Sequence, residues 1–151
     1  MLTCEHQITG TGPEDPRWRD EAVVVGPLAF VGLASLDTRK WSSLDRPLDG
    51  EYEAVKVPAT VEAGATVTVL VPEAETSNLS LLYEFPLPSS ATFRVEDGYR
   101  AVTFQACPGE DTTWAGGFVV AGRRCATIDV YVDDLDQPIR VPMSFGADDC
   151  A

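Results

Sequence analysis

Histidine is the scarcest chemistry-bearing residue in this sequence, with His6 its single example. One imidazole excludes the ordinary blue-copper set of two histidines, a cysteine and an axial methionine. Nucleophilic catalysis needs a serine or cysteine beside a base, and no G-x-S-x-G elbow is present. The cysteines form no C-x-x-C pair, which disfavours zinc. No run of about 18 apolar residues occurs, so no segment is expected to span a membrane as a helix. No signal peptide is visible either, Met1-Leu2-Thr3 being too short for one. No cofactor is expected.

Basic charge is also thin. Against 24 acids stand 11 Lys and Arg, and the formal net charge is −13. Such a surface repels phosphate backbones and anionic lipid, so nucleic acid and membrane surfaces are not expected partners. Solubility alone accounts for the charge. The sharper reading is a cation or a basic partner.

What is present points to strands. The 151 residues suit a single domain, residues 1–151, able to bury roughly 70% of its unfolded surface. Valine outnumbers isoleucine 17 to 3 and arginine outnumbers lysine 9 to 2, a bias that a GC-rich genome produces. Valine is β-branched and favours strands. Residues 1–20 are polar and turn-rich, an irregular N-terminal segment. Two short apolar runs, 22–25 and 28–31, flank Gly26-Pro27. Residues 34–51 read as a polar loop. Val67, Val69 and Val71 fall on one face of an alternating strand, and Ile139, Val141, Met143 and Phe145 on one face of the last. Asp97-Gly98, between 93–96 and 99–107, is the strongest hairpin signal. The expectation is an all-β, antiparallel, immunoglobulin-like sandwich of about eight or nine short strands.

Four cysteines in a small domain imply two disulfides and an oxidising compartment. Cys107 ends one strand and Cys125 begins another. Four cysteines allow three connectivities. Adjacency favours Cys107–Cys125, with Cys4 and Cys150 clipping the two ends.

The remaining candidates are weak. Asp133, Asp134 and Asp136 could ligate calcium, but the loop lacks the EF-hand glycine and closing glutamate. With 24 acids, a carboxylate pair for glycoside hydrolysis is always available and means nothing without geometry. Among the tryptophans, Trp18, Trp41 and Trp114, two stand out. Trp114 is expected to pack over a disulfide. Trp41 sits in a polar loop and, with Tyr52 and Trp114, is a candidate ligand or partner surface.

The run Ala106-Cys107-Pro108-Gly109, then Trp114-Ala115-Gly116-Gly117-Phe118, then Cys125 and a late Cys150, resembles a family of uncharacterised actinobacterial secreted or membrane-anchored proteins. Val61 to Val67 resembles a mid-chain stretch of the same family. That family often has glycine after its first cysteine, where Glu5 stands here. The resemblance implies export and immunoglobulin-like β structure and supplies no activity.

These readings converge on a non-enzymatic interaction or structural module outside the cytoplasm, extracellular or in the cell envelope. Its partner would be a protein or a cell-envelope glycan. A carbohydrate-binding module is the alternative, and a hydrolase the least favoured.

Overall fold

The computed structural model describes residues 1–8, 22–33, 53–87, 93–147 and 150. They form an all-β structure of antiparallel sheets. The strands are β1 (Val23–Val25), β2 (Leu28–Phe30), β3 (Glu53–Lys56), β4 (Ala59–Val61), β5 (Thr66–Leu70), β6 (Leu79–Leu82), β7 (Ala101–Gln105), β8 (Thr112–Trp114), β9 (Gly117–Val120), β10 (Arg124–Val132) and β11 (Ile139–Phe145). Eleven strands exceed the eight or nine expected because the polar run Thr112–Trp114 pairs, and because Ala59–Val61, beyond the proline that ends the preceding strand, pairs with it as a strand of its own.

One layer has the order β11-β10-β5-β7. Its central strand, β5, alternates cleanly: Val67 and Val69 are buried while Thr66, Thr68 and Leu70 are only partly so. Burying each valine contributes about 1.5–3 kcal/mol. The other strands form the orders β1-β2-β4-β8 and β3-β9-β6. These two share a single register. Lys56 faces Gly117 and Ala59 faces Trp114, so the pairing resumes in step across the gap. The Val57 N–H donates to the Gly116 carbonyl within that gap. Pro58 has no N–H to give, so the ladder kinks there rather than slipping. The result is sandwich-like, with a kinked layer facing a regular one.

A hydrophobic cluster drawn from all three sheets fills the interior. Phe118 on β9 is its hub: its ring lies 5.4 Å from Phe30, 5.9 Å from Tyr83 and 5.1 Å from Phe145. The glycines before it make this packing possible. A Cβ on Gly117 would sit 1.8 Å from the Val55 carbonyl oxygen. On Gly116, at φ +153°, it would sit 2.3 Å from the Tyr83 ring.

The expected hairpin at Asp97-Gly98 does not form. Val95–Asp97 is a single 3-10 turn, and β7 pairs with β5 instead. The reason is local: the Asp97 carboxylate accepts the Arg94 N–H at 2.7 Å, offering the backbone a closed turn in place of a ladder. That turn covers the outer side of β6, where Leu82, Val95 and Val119 form a second small cluster.

All four cysteines are bridged, but not as adjacency suggested. The pairs are Cys4–Cys107 and Cys125–Cys150. Leu2 bridges Phe104 in parallel, so the two chains advance together and bring Cys4 to Cys107. Cys125 faces Ser144 in the β10–β11 hairpin, and the chain turns at Gly146 (φ 72°) towards Cys150. Val132 and Phe104 both face Val67, which puts them at one level. Cys125 lies seven residues back along β10 from that level, roughly 23 Å at strand rise, and Cys107 lies three residues beyond it in the opposite sense. That far exceeds the 7 Å that a disulfide tolerates between Cα atoms. Proximity of the chain ends, assumed from compactness, is what failed. Among the described residues no helix is long and apolar enough to cross a membrane.

Candidate functional site

Three separate stretches meet at one corner. The first is the N-terminal clip. Leu2 exchanges hydrogen bonds with Thr103 and Gln105 on β7, and the Ile8 N–H donates to Thr113 on β8. Residues 2–8 therefore tie one layer to the other. Trp114 reinforces the tie: its indole N–H donates to the Thr3 carbonyl at 2.9 Å, next to Cys4. Trp114 is 1% exposed, and its ring centroid lies 5.2 Å from that of Phe104. It belongs to the core and is not the exposed aromatic platform that its candidacy assumed, reaching the surface only as part of one cleft wall.

The second stretch leaves β6. Tyr83 is buried and donates its hydroxyl to the Val57 carbonyl at 2.6 Å. Burial pushes its pKa well above the ordinary phenol value. Beyond it the chain surfaces. Glu84 is half-buried, and Phe85 and Leu87 are exposed on either side of Pro86, whose peptide bond with Phe85 is cis. The His6 ring stacks on Phe85 at 5.2 Å, and its Nδ1 accepts the Thr3 N–H.

The third stretch is Tyr99, which bridges Leu81 just before β7 and is 45% exposed. Its hydroxyl donates to Glu84 Oε1 at 3.0 Å. That hydrogen bond, then the charge of Glu84 and a little burial, raise the phenol's pKa, so it remains a neutral donor at physiological pH.

Glu84 stands between two clefts. One, of about 300 Å³, is lined by Met1, Leu2, Tyr83, Glu84, Tyr99 and residues 101–103 of β7. The other, about 170 Å³ and mostly apolar, is lined by Leu2, His6, Ile8, Glu84, residues 85–87, Trp114 and Ala115. Each has one carboxylate among its lining residues, so neither holds the opposed pair that glycoside hydrolysis needs.

The other sequence candidates lie elsewhere. Trp18, Trp41 and Tyr52 fall outside the described residues. Asp133 sits at the β10–β11 tip and accepts the Thr66 N–H through its carboxylate, acting as a turn residue at φ 47°. Cys4, Cys107 and Glu110 are close enough to suggest a metal site, but both sulfurs are bound in a disulfide and offer no thiolate. Sequence reasoning missed Phe85, Leu87 and Tyr99. Its usable signal was Phe85-Pro86-Leu87-Pro88, an apolar run that its prolines bar from a central strand and so leave at the surface. Comparison of the chain with protein-family models, with curated proteins and with solved structures found no match.

Proposed function

We propose that this chain is a non-enzymatic interaction module working outside the cytoplasm, on an immunoglobulin-like sandwich, with a protein or a cell-envelope glycan as partner. The observation that carries the reading is the pair of disulfides, which use every cysteine of the chain. Disulfides of this kind persist in oxidising compartments. The corner around Glu84 supplies the interaction surface: Phe85, Leu87 and Tyr99 are large exposed side chains beside two clefts. Residues of this kind anchor interfaces.

The test is thiol labelling and mass spectrometry on protein taken from its native compartment. Two intact disulfides support export, and four free thiols defeat it. Glycan binding is favoured as a second reading by the exposed Tyr99 and Phe85 rings beside a carboxylate, with Trp41 and Tyr52 as further aromatics. Binding to an envelope polysaccharide that is lost in Tyr99→Ala supports it, and indifference to that change removes it.

A further inference from the structure

Glu84 is a carboxylate held in a cleft without a counter-ion among the described residues. Its hydrogen-bond partner is the Tyr99 hydroxyl, which engages Oε1 and leaves Oε2 available. Among the described residues neither cleft is lined by lysine or arginine. The nearby Arg100 spends its Nε on the Val71 carbonyl and is not part of the lining. Beside the carboxylate stands the Tyr99 ring, 45% exposed, with Ala101, Val102 and Thr103 as the floor. A negative charge next to an aromatic face is the chemistry that recognises an organic cation. A volume of about 300 Å³ is at the small end for ligand pockets and suits one side-chain head with its methylene stem. The whole chain carries a net charge of −13, which draws basic partners from a distance.

We propose that the cleft between Glu84 and Tyr99 is the docking site for a lysine side chain of a basic partner protein, its ammonium on Glu84 and its stem along the Tyr99 ring. This rests on the interaction-module reading above and names the partner's chemistry. The apolar neighbour cleft, with Phe85 and His6, would take the residue flanking that lysine.

The test is an NMR titration of the intact, disulfide-bonded chain with Nα-acetyl-lysine amide, and with acetyl-norleucine amide as an equally long stem without charge. The lysine probe is expected to shift the Tyr99 and Glu84 resonances and to weaken as salt rises. Norleucine is expected to bind at least about fivefold more weakly, as is lysine to Glu84→Gln. Tyr99→Ala should lose about two- to fivefold, whereas Tyr99→Phe keeps the ring and frees Oε1, and should bind at least as well as the native chain. Near-UV circular dichroism of each variant confirms that it is folded. Equal binding of norleucine, or no effect of Glu84→Gln, overturns the proposal. So does tetramethylammonium binding where lysine does not, which would assign the cleft to a small quaternary cation. A neutral hexose shifting the same resonances in place of lysine overturns it too, while leaving the interaction-module reading intact. Free thiols in the native compartment would instead strike that broader reading.

Discussion

Replacing Gly117 with alanine tests the packing logic of the β3–β9 pair. The new Cβ would lie 1.8 Å from the Val55 carbonyl oxygen, 2.9 Å from its carbon and 3.1 Å from the Val57 nitrogen. Ordinary carbon–oxygen contacts sit near 3.3–3.6 Å, so the strands must part by about 1.5 Å. Every opposing atom is backbone, and no rotamer change can absorb the clash. Parting the strands stretches the ladder bonds on either side of the Lys56–Gly117 pair beyond useful length. One or two lost ladder bonds at about 0.5–1.5 kcal/mol each, plus overpacking strain of about 1–3, give a loss of about 3 kcal/mol. For a chain of this size that lowers Tm by about 6–12 °C. Calorimetry under oxidising conditions measures it. Gly109→Ala is the control: nothing lies within 4 Å of its built Cβ, so stability should change by less than about 0.5 kcal/mol. If Gly117→Ala melts within about 2 °C of the native chain, the close approach of β3 to β9 is wrong.

Three further outcomes follow from the same structure. Cys4 and Cys107 are separated by 103 residues, Cys125 and Cys150 by 25. The chain-entropy relation then puts the first bridge at about 4.7 kcal/mol and the second at about 3.5, so urea melts should show the Cys4→Ser/Cys107→Ser pair to be the less stable variant. Because burial raises the Tyr83 pKa, the unfolded chain releases its proton first; stability should be flat below about pH 10 and fall as pH rises further. Tyr83→Phe should lose about 1 kcal/mol of hydrogen bonding at neutral pH and flatten that alkaline decline, as urea melts from pH 8 to 11 would show. The Arg140 guanidinium contacts both carboxylate oxygens of the nearly buried Asp129, at 3.0 and 3.3 Å, while its own side chain is 68% exposed. Arg140→Ala should destabilise the chain by leaving the Asp129 carboxylate unpaired, and Asp129→Asn/Arg140→Ala should restore part of the loss in a double-mutant cycle followed by urea melts.

The strands that carry their own signal were legible in the sequence. Val67 and Val69 alternate with threonines, and β5 lies where that alternation placed it. Gly26-Pro27 marked the break between the two apolar runs that form β1 and β2, and Gly26 does turn at φ 55°. The misreadings have specific causes. Thr112–Trp114 looks polar, yet Thr113 is buried because its hydroxyl shares a hydrogen bond with that of Thr60 at 2.6 Å across the ladder. Asp-Gly is a hairpin signal only when the aspartate side chain leaves the backbone free, and here Asp97 captures Arg94. The candidate site was the least legible part. It joins residues 1–8, 83–87 and 99–103, and no one of these segments contains its chemistry. Only the fold sets Tyr99 beside the Glu84 carboxylate, with no arginine among the described lining residues.

The disulfide arrangement links that site to the scaffold. Each bridge secures a different end of the regular sheet: Cys125–Cys150 closes the start of β10, and Cys4–Cys107 holds the N-terminal clip past the end of β7. The clip is also a wall of both clefts, through Met1 and Leu2 in one and Leu2, His6 and Ile8 in the other. Its backbone attachment is short, since Leu2 and Ile8 are its hydrogen-bonded points on β7 and β8. Opening Cys4–Cys107 leaves those few bonds, the indole of Trp114, buried Leu2, the His6–Phe85 stack and the Gln7–Glu110 hydrogen bond to hold it. The two bridges are therefore unequal in kind as well as in magnitude. Loss of Cys125–Cys150 loosens a hairpin that lines neither cleft. Loss of Cys4–Cys107 frees a wall of both clefts, so this bridge maintains the shape of the clefts as well as the fold.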